Sequence, residues 1–258
     1  MDLGLGGRRV LITGGSKGIG LACAAAFTAE GAIVAICSRD AENLAAARRL
    51  LPAVSVFEAD CADAASAARM VARVEGEVGP LDVLVSSAGA ARRMPVDDLT
   101  PDHWRAAMDA KYFATVNVLD PVLKAMAGRG RGVAVNVIGT GGKVASPIHL
   151  AGGAANAALM LATAGLGAAY ARRGLRVVGV SPSLTDTTRV AEGLAADAAA
   201  RGIAPEEARE RILAGLPLGR MAGAEEVADA VVFLASDRAA YITGTVLSVD
   251  GAQNPTVV

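Results

Sequence analysis

Aromatic side chains are scarce in this chain, at 3% of 258 residues with a single tryptophan. Apolar residues still make up 53%, against ~45–50% in ordinary soluble proteins. The excess is alanine and valine, so the core must be built from small aliphatics. Such a core suits parallel strands covered by alanine-rich helices. Cysteine is rare as well. Cys23, Cys37 and Cys61 are widely spaced, with no CxxC pair and no metal-ligand spacing. They are expected to be core thiols in a reducing cytoplasm, with no metal bound. Neither sign of charge is in excess: the formal net charge is −1. That excludes the basic footprint of a nucleic-acid or anionic-membrane binder. No apolar run is read as reaching the ~18 residues that span a bilayer. The N-terminal Met1-Asp2-Leu3-Gly4 lacks the basic region and apolar core of a secretory signal. Repeats, low-complexity tracts and linkers are absent too, so residues 1–258 are expected to form one domain.

What is present is alternation. Short β-branched runs at 9–13, 33–37, 54–58, 83–86, 133–138, 177–180 and 246–249 read as strands. Helical stretches at 18–30, 41–51, 64–78, 101–126, 150–172 and 225–236 separate them, the 101–126 stretch being one helix or two. Strand and helix repeated this often predict a parallel sheet joined by crossovers. The expected fold is a three-layer α/β/α, doubly wound sheet of the Rossmann type. The stretch 187–216 is polar, alanine-rich and helical, and it interrupts the pattern. It reads as a lid over a cleft or as a plain surface insertion. Its charges, Asp197, Arg201, Glu206, Glu207, Arg209 and Arg211, suit a solvated helix.

The first strand runs directly into Gly14-Gly15-Ser16-Lys17-Gly18-Ile19-Gly20, and a helix starts within that run. Glycines there let backbone N–H groups approach a pyrophosphate, and the helix N-terminus adds partial positive charge. Position in the alternation is what makes the cluster informative. At the end of the second strand an acidic residue would bind a ribose 2′-hydroxyl. Ser38-Arg39 stands there instead. An arginine fork suits a 2′-phosphate, and Lys17 adds a second charge. The expected cofactor is therefore NADP(H), with NAD(H) as the other candidate.

With these residues the chain resembles the short-chain dehydrogenase/reductase family, from about Leu5 to Ala252. Thr13-Gly14-x-x-x-Gly18-x-Gly20 is similar to its cofactor signature. The resemblance implies that Asp60, followed by Cys61, meets the adenine. It implies that Ser87-Ala88-Gly89, after Ser86, lines the cofactor in place of Asn-Asn-Ala-Gly. Val137 stands at the end of the fifth strand, also beside the cofactor. Pro182-Ser183-Leu184-Thr185-Asp186-Thr187 resembles the Pro-Gly motif whose threonine meets the nicotinamide amide, with Ser183 replacing the glycine. The run from Gly219-Arg220-Met221 to Val249-Asp250-Gly251 follows the family pattern.

The resemblance breaks at the chemistry. The family uses a serine, a tyrosine, a lysine four residues later, and an asparagine on an earlier helix. Spacing from Trp104 puts Lys111 at the asparagine. Asn136-Val137-Ile138-Gly139-Thr140 puts Gly139 at the serine, with Thr140 adjacent. The tyrosine falls on Gly152 and the lysine on Asn156. By this spacing all four side chains are replaced. General acid catalysis supplies ~10²–10⁴-fold, and an oxyanion donor on the order of 10²–10³-fold. The candidate catalytic replacements are Lys111, Thr140, His149 and Asn156. Lys111 would point into the cleft, His149 titrates near neutrality, and Asn156 is placed to reach the nicotinamide ribose. An NADP(H)-dependent oxidoreductase acting on a small carbonyl or alcohol is the first reading. A nucleotide-binding protein without turnover and a non-redox dehydratase or isomerase are the others. The resemblance also implies a homotetramer or dimer, packed through the small-residue helix at 150–172 and the helix after Trp104.

Overall fold

The computed structural model describes residues 2–89 and 91–255. Seven strands form one parallel sheet: β1 (Arg9–Thr13), β2 (Ile33–Ser38), β3 (Ser55–Glu58), β4 (Val83–Ser86), β5 (Gly132–Val137), β6 (Leu175–Pro182) and β9 (Val246–Val249), in the order β3-β2-β1-β4-β5-β6-β9. Chain order reverses between β1 and β4, which puts a crevice at their carboxyl ends, where open α/β sheets bind ligands. Two-residue strands β7 (Thr185–Asp186) and β8 (Ala222–Gly223) pair outside the sheet.

The helices are α1 (Gly18–Ala29), α2 (Ala41–Leu50), α3 (Ala64–Glu77), α4 (Pro101–Ala107), α5 (Ala114–Arg129), α6 (Leu150–Ala171), α7 (Thr188–Arg201), α8 (Pro205–Ala214) and α9 (Ala224–Ala235). Successive residues of β1 face opposite sides: Val10 and Ile12 pack with α1, α2 and α9, and Leu11 with α3 and α5. All three are fully buried, at about 1.5–3 kcal/mol of transfer free energy each. This is why the strands read as continuous apolar runs rather than alternating ones.

The 101–126 stretch, expected as one helix or two, is two: α4 and α5 are joined by one π turn, Met108–Phe113, which carries Lys111. Two expectations change. β6 is twice the expected length, pairing with β5 on one edge and β9 on the other. The second concerns membrane length. α6 has no charged residue over 22 positions and a mean hydropathy of 1.3 in its most apolar stretch, so by length and composition it could cross a bilayer. It instead buries Ala151, Ala155, Leu159 and Thr163 and packs along β6. The insertion at 187–216, expected to be helical, forms the two helices α7 and α8. They carry a small core of their own, where Leu194, Leu216 and Met221 are buried against Val190, Ile212 and Leu213. The side chains of Asp197 and Arg201 lie outside the described residues.

Candidate active site

The crevice begins at a clamp. Thr13 Oγ1, at the end of β1, accepts hydrogen bonds from the backbone N–H groups of Ser87 (3.2 Å) and Ala88 (3.3 Å) after β4. Gly14 follows with φ +65°, and a Cβ there would stand 2.9 Å from the Ala88 backbone. Only glycine combines that conformation with so close an approach. Ser16 is buried, Ile19 half-buried and Lys17 exposed. Lys17 is the N-cap of α1 and provides no side-chain cap. The first N–H groups of α1, from Gly18 through Gly20, therefore face the crevice without a side-chain acceptor at the cap, as an anion site requires. A Cβ on Gly18 would lie 3.4 Å from Thr187 Cγ2, so the start of the 187–216 insertion rests against this turn.

Along the other arm, Asp40 caps α2 by accepting from Asn43 N–H at 2.9 Å, which leaves Ser38 half-buried and Arg39 exposed at the tip of β2. Asp60 Oδ1 accepts from Ala62 N–H at 3.0 Å. Cys61 turns inward, its Sγ 3.7 Å from that of Cys37, so this position offers the crevice its backbone rather than its thiol. Burial pushes the Cys23 thiol up to about 12. Asn117 on α5 was not foreseen. Its Nδ2 donates to the carbonyls of Cys61 and Ala62, each at 3.0 Å, and so holds the Asp60 turn to α5. A lone asparagine within a helical stretch carries no signal of that contact in sequence.

The four candidate catalytic positions converge. Lys111 Nζ donates to Asn156 Oδ1 at 3.1 Å, joining the π turn to buried α6. Lys111 also packs under Gly89, whose Cβ position lies 3.3 Å from Lys111 Cγ. Asn156 Nδ2 lies 3.1 Å from the Cβ position of Gly139. Thr140 opens a short 3-10 turn, Thr140–Gly142, and is half-buried above the end of β5 beyond Val137. His149 stands just before α6. A Cβ on Gly152 would collide with Cε1 and Nε2 of the His149 ring, so the imidazole occupies the space of the side chain that Gly152 lacks. Its Nδ1 is buried without a hydrogen-bond partner. Burial, with help from the charges of Lys111 and Arg93, lowers the His149 pKa below its usual 6.5. On the far lip, Pro182 closes β6, and Thr185 Oγ1 donates to the Ser183 carbonyl at 3.3 Å.

Residues 14–253 match a family model described as enoyl-(acyl carrier protein) reductase. The chain belongs to the short-chain dehydrogenase/reductase family. As a member it is an oxidoreductase of the nicotinamide-nucleotide-dependent type. Acetoacetyl-CoA reductase of Shinella zoogloeoides is 32% identical over 246 residues, covering 95% of this chain and 98% of that protein. Gluconate 5-dehydrogenase of Gluconobacter oxydans is 33% identical over 253 residues, covering 96% and 94%. Among solved structures, a variant actinorhodin polyketide ketoreductase with NADPH superposes at a TM-score of 0.93 with 30% identity, covering 97% and 98% of the two chains. L-sorbose reductase from Gluconobacter frateurii, complexed with NADPH and L-sorbose, gives 0.94 with 27% identity and covers both chains fully. The sheet order and the Thr13–Gly20 turn of this short-chain dehydrogenase/reductase thus occur in a chain alignable with these relatives from end to end.

Proposed function

We propose that the protein is an NADP(H)-dependent oxidoreductase acting on a carbonyl or alcohol, with a proton relay rebuilt around His149, Lys111, Asn156 and Thr140. The observation that carries this reading is the His149 imidazole filling the space beside Gly152. The spacing to the family pattern puts the absent tyrosine at that same position.

The crevice fits the cofactor. Gly14 lets the turn pack directly against the Ala88 backbone, and the uncapped start of α1 supplies N–H groups for a diphosphate. Gly14, Ser16, Lys17, Gly18, Ile19 and Gly20 would hold the diphosphate, Ser38 and Arg39 the 2′-phosphate, and Asp60 with the Cys61 backbone the adenine. Ser87, Ala88, Gly89, Val137, Asn156, Pro182, Ser183, Thr185 and Thr187 would line the nicotinamide half. When bound, the nicotinamide donates or accepts the hydride. His149 gives a proton to the carbonyl oxygen in reduction and takes it from the alcohol in oxidation. Its depressed pKa leaves it neutral, and so ready as a base, at neutral pH. Lys111, held by Asn156, puts positive charge beside the oxygen where negative charge develops. Thr140 offers a second hydroxyl donor.

The 187–216 helices form the lid over the substrate. The chain assembles as a homotetramer or dimer, for which exposed Leu161 on α6, with Trp104 and Phe113 nearby in sequence to α5, are the available apolar surface. A cytoplasmic location belongs to the same reading.

The test follows deuteride from labelled NADPH into ketones, after calorimetry has established NADPH binding. Transfer in the native chain that drops ~10²-fold or more in His149→Ala is expected. Binding without transfer to any carbonyl would remove the reading.

A further inference from the structure

Two of the three cysteines form a pair. Cys23 stands apart on α1, where burial pushes its thiol up to about 12 and so keeps it inert. Cys37 and Cys61 are both free thiols, and their Sγ atoms lie 3.7 Å apart. Cys37 is on β2, Cys61 follows the neighbouring strand β3, and both sulfurs pack in the layer of α3 and α5. Cys61 is 5% exposed and Cys37 1%, so Cys61 is the more accessible of the two. The hydrogen bond from the Cys37 thiol, with help from the Arg39 charge, lowers the Cys61 pKa below the usual thiol value, against burial and the Asp60 charge. The same bond, with burial, holds the proton on Cys37. An accessible thiolate beside a protonated thiol is the arrangement of an attacking and a resolving cysteine.

Each cysteine is also tied to one arm of the cofactor crevice. The Cys37 carbonyl accepts from the Gly15 N–H of the glycine turn at 3.3 Å. Cys61 directly follows Asp60, and its carbonyl accepts from Asn117 at 3.0 Å. A disulfide would draw the sulfurs from 3.7 Å to about 2.05 Å. The backbone attachments pass that movement to the glycine turn and the Asp60 turn.

We propose that Cys37 and Cys61 are a modification site, oxidised to a disulfide by a hydroperoxide, and that the bond weakens nucleotide binding, a consequence that rests on the cofactor reading above. The Cys61 thiolate attacks the terminal peroxide oxygen. The O–O bond breaks, Cys61 becomes a sulfenic acid, and the alkoxide or hydroxide that leaves takes up the proton Cys61 has lost. The Cys37 sulfur then attacks the Cys61 sulfur. The S–O bond breaks, and its oxygen departs as water with the Cys37 proton. Two electrons pass from the thiol pair to the peroxide, and a dithiol reductant returns them.

The experiment treats the full chain with hydrogen peroxide, blocks remaining thiols, and maps the peptides without reduction. Calorimetry measures NADPH before oxidation, after it, and after dithiothreitol. A Cys37–Cys61 cross-link is expected, with the NADPH Kd raised about tenfold and restored by dithiothreitol. Cys37→Ser should stop at a dimedone-trapped sulfenic acid on Cys61 with no cross-link. Cys23→Ser should cross-link like the native chain. Thermal melting of each variant reports its fold, and the mapping of the native chain stands without them. Absence of the cross-link in the native chain, or a cross-link through Cys23, overturns the proposal. A Cys37–Cys61 bond that leaves the Kd unchanged overturns the coupling to the nucleotide. A cross-link in a chain that binds no NADPH in either state supports the modification site and removes the cofactor reading instead.

Discussion

The His149 ring and the missing side chain of Gly152 share one volume, because the turn before α6 folds the imidazole back over the first turn of that helix. Gly152→Tyr alone must therefore displace His149 from a space lined also by Ala91. Overpacking of this kind costs about 1–3 kcal/mol. A melting temperature lower by several degrees is expected for the single variant, most of it regained when His149→Gly is added. Equal melting of native protein and Gly152→Tyr would show that the ring does not fill the space.

The depressed pKa of His149 predicts opposite pH behaviour for the two directions. Reduction needs the imidazolium and should quicken as pH falls below the usual 6.5. Oxidation needs the neutral ring and should already be at its plateau at neutral pH. Folding stability carries the same sign. The unfolded chain takes up this proton first, so the His149 contribution is full above pH 6.5 and falls as the pH drops from there toward the lowered folded value. Rate profiles in both directions, with chemical denaturation across pH 5–8, check this.

Removing the charge at Lys111 should raise the His149 pKa, since that charge is one of the two that help depress it. Lys111→Met, followed by NMR titration of the His149 ring, is expected to move the midpoint up toward 6.5. A midpoint that stays or falls would mean that burial alone sets it.

Arg39 stands exposed beyond the Asp40 cap. Arg39→Ala should weaken NADPH about tenfold and leave NADH nearly unaffected, because a lost charge-assisted contact to the extra phosphate concerns only the former. Calorimetric titration with each nucleotide distinguishes this from general damage.

Asn117→Ala cuts both hydrogen bonds to the turn that presents Asp60. Loss of two such bonds, at about 0.5–1.5 kcal/mol each, is expected to raise the NADPH Kd several-fold. Reduced nicotinamide mononucleotide, which lacks the adenosine half, should bind native and variant alike.

The elements around the cofactor crevice were largely legible because local rules place them. The β1 run, its glycine turn and the start of α1 are contiguous in sequence, and burial on both faces makes each central strand an apolar run. Arg39 could be read the same way, as the residue closing β2. α6 was legible as a helix but its apolar length was not, because glycine and alanine diluted an uncharged stretch of 22 residues. The π turn at Lys111 left no trace, since its residues would serve equally well in an α-helix.

The chain by itself determined the doubly wound sheet, the phosphate turn and the identity of the residues at 111, 139, 152 and 156, because periodicity and spacing are one-dimensional properties. Tertiary structure alone decided that Lys111 meets Asn156 across 45 positions, that Asn117 holds the Asp60 turn, and that His149 enters the space Gly152 leaves open. Those contacts join segments brought together only by burying α5 and α6 on the same side of the sheet, and no local pattern encodes a distance between them.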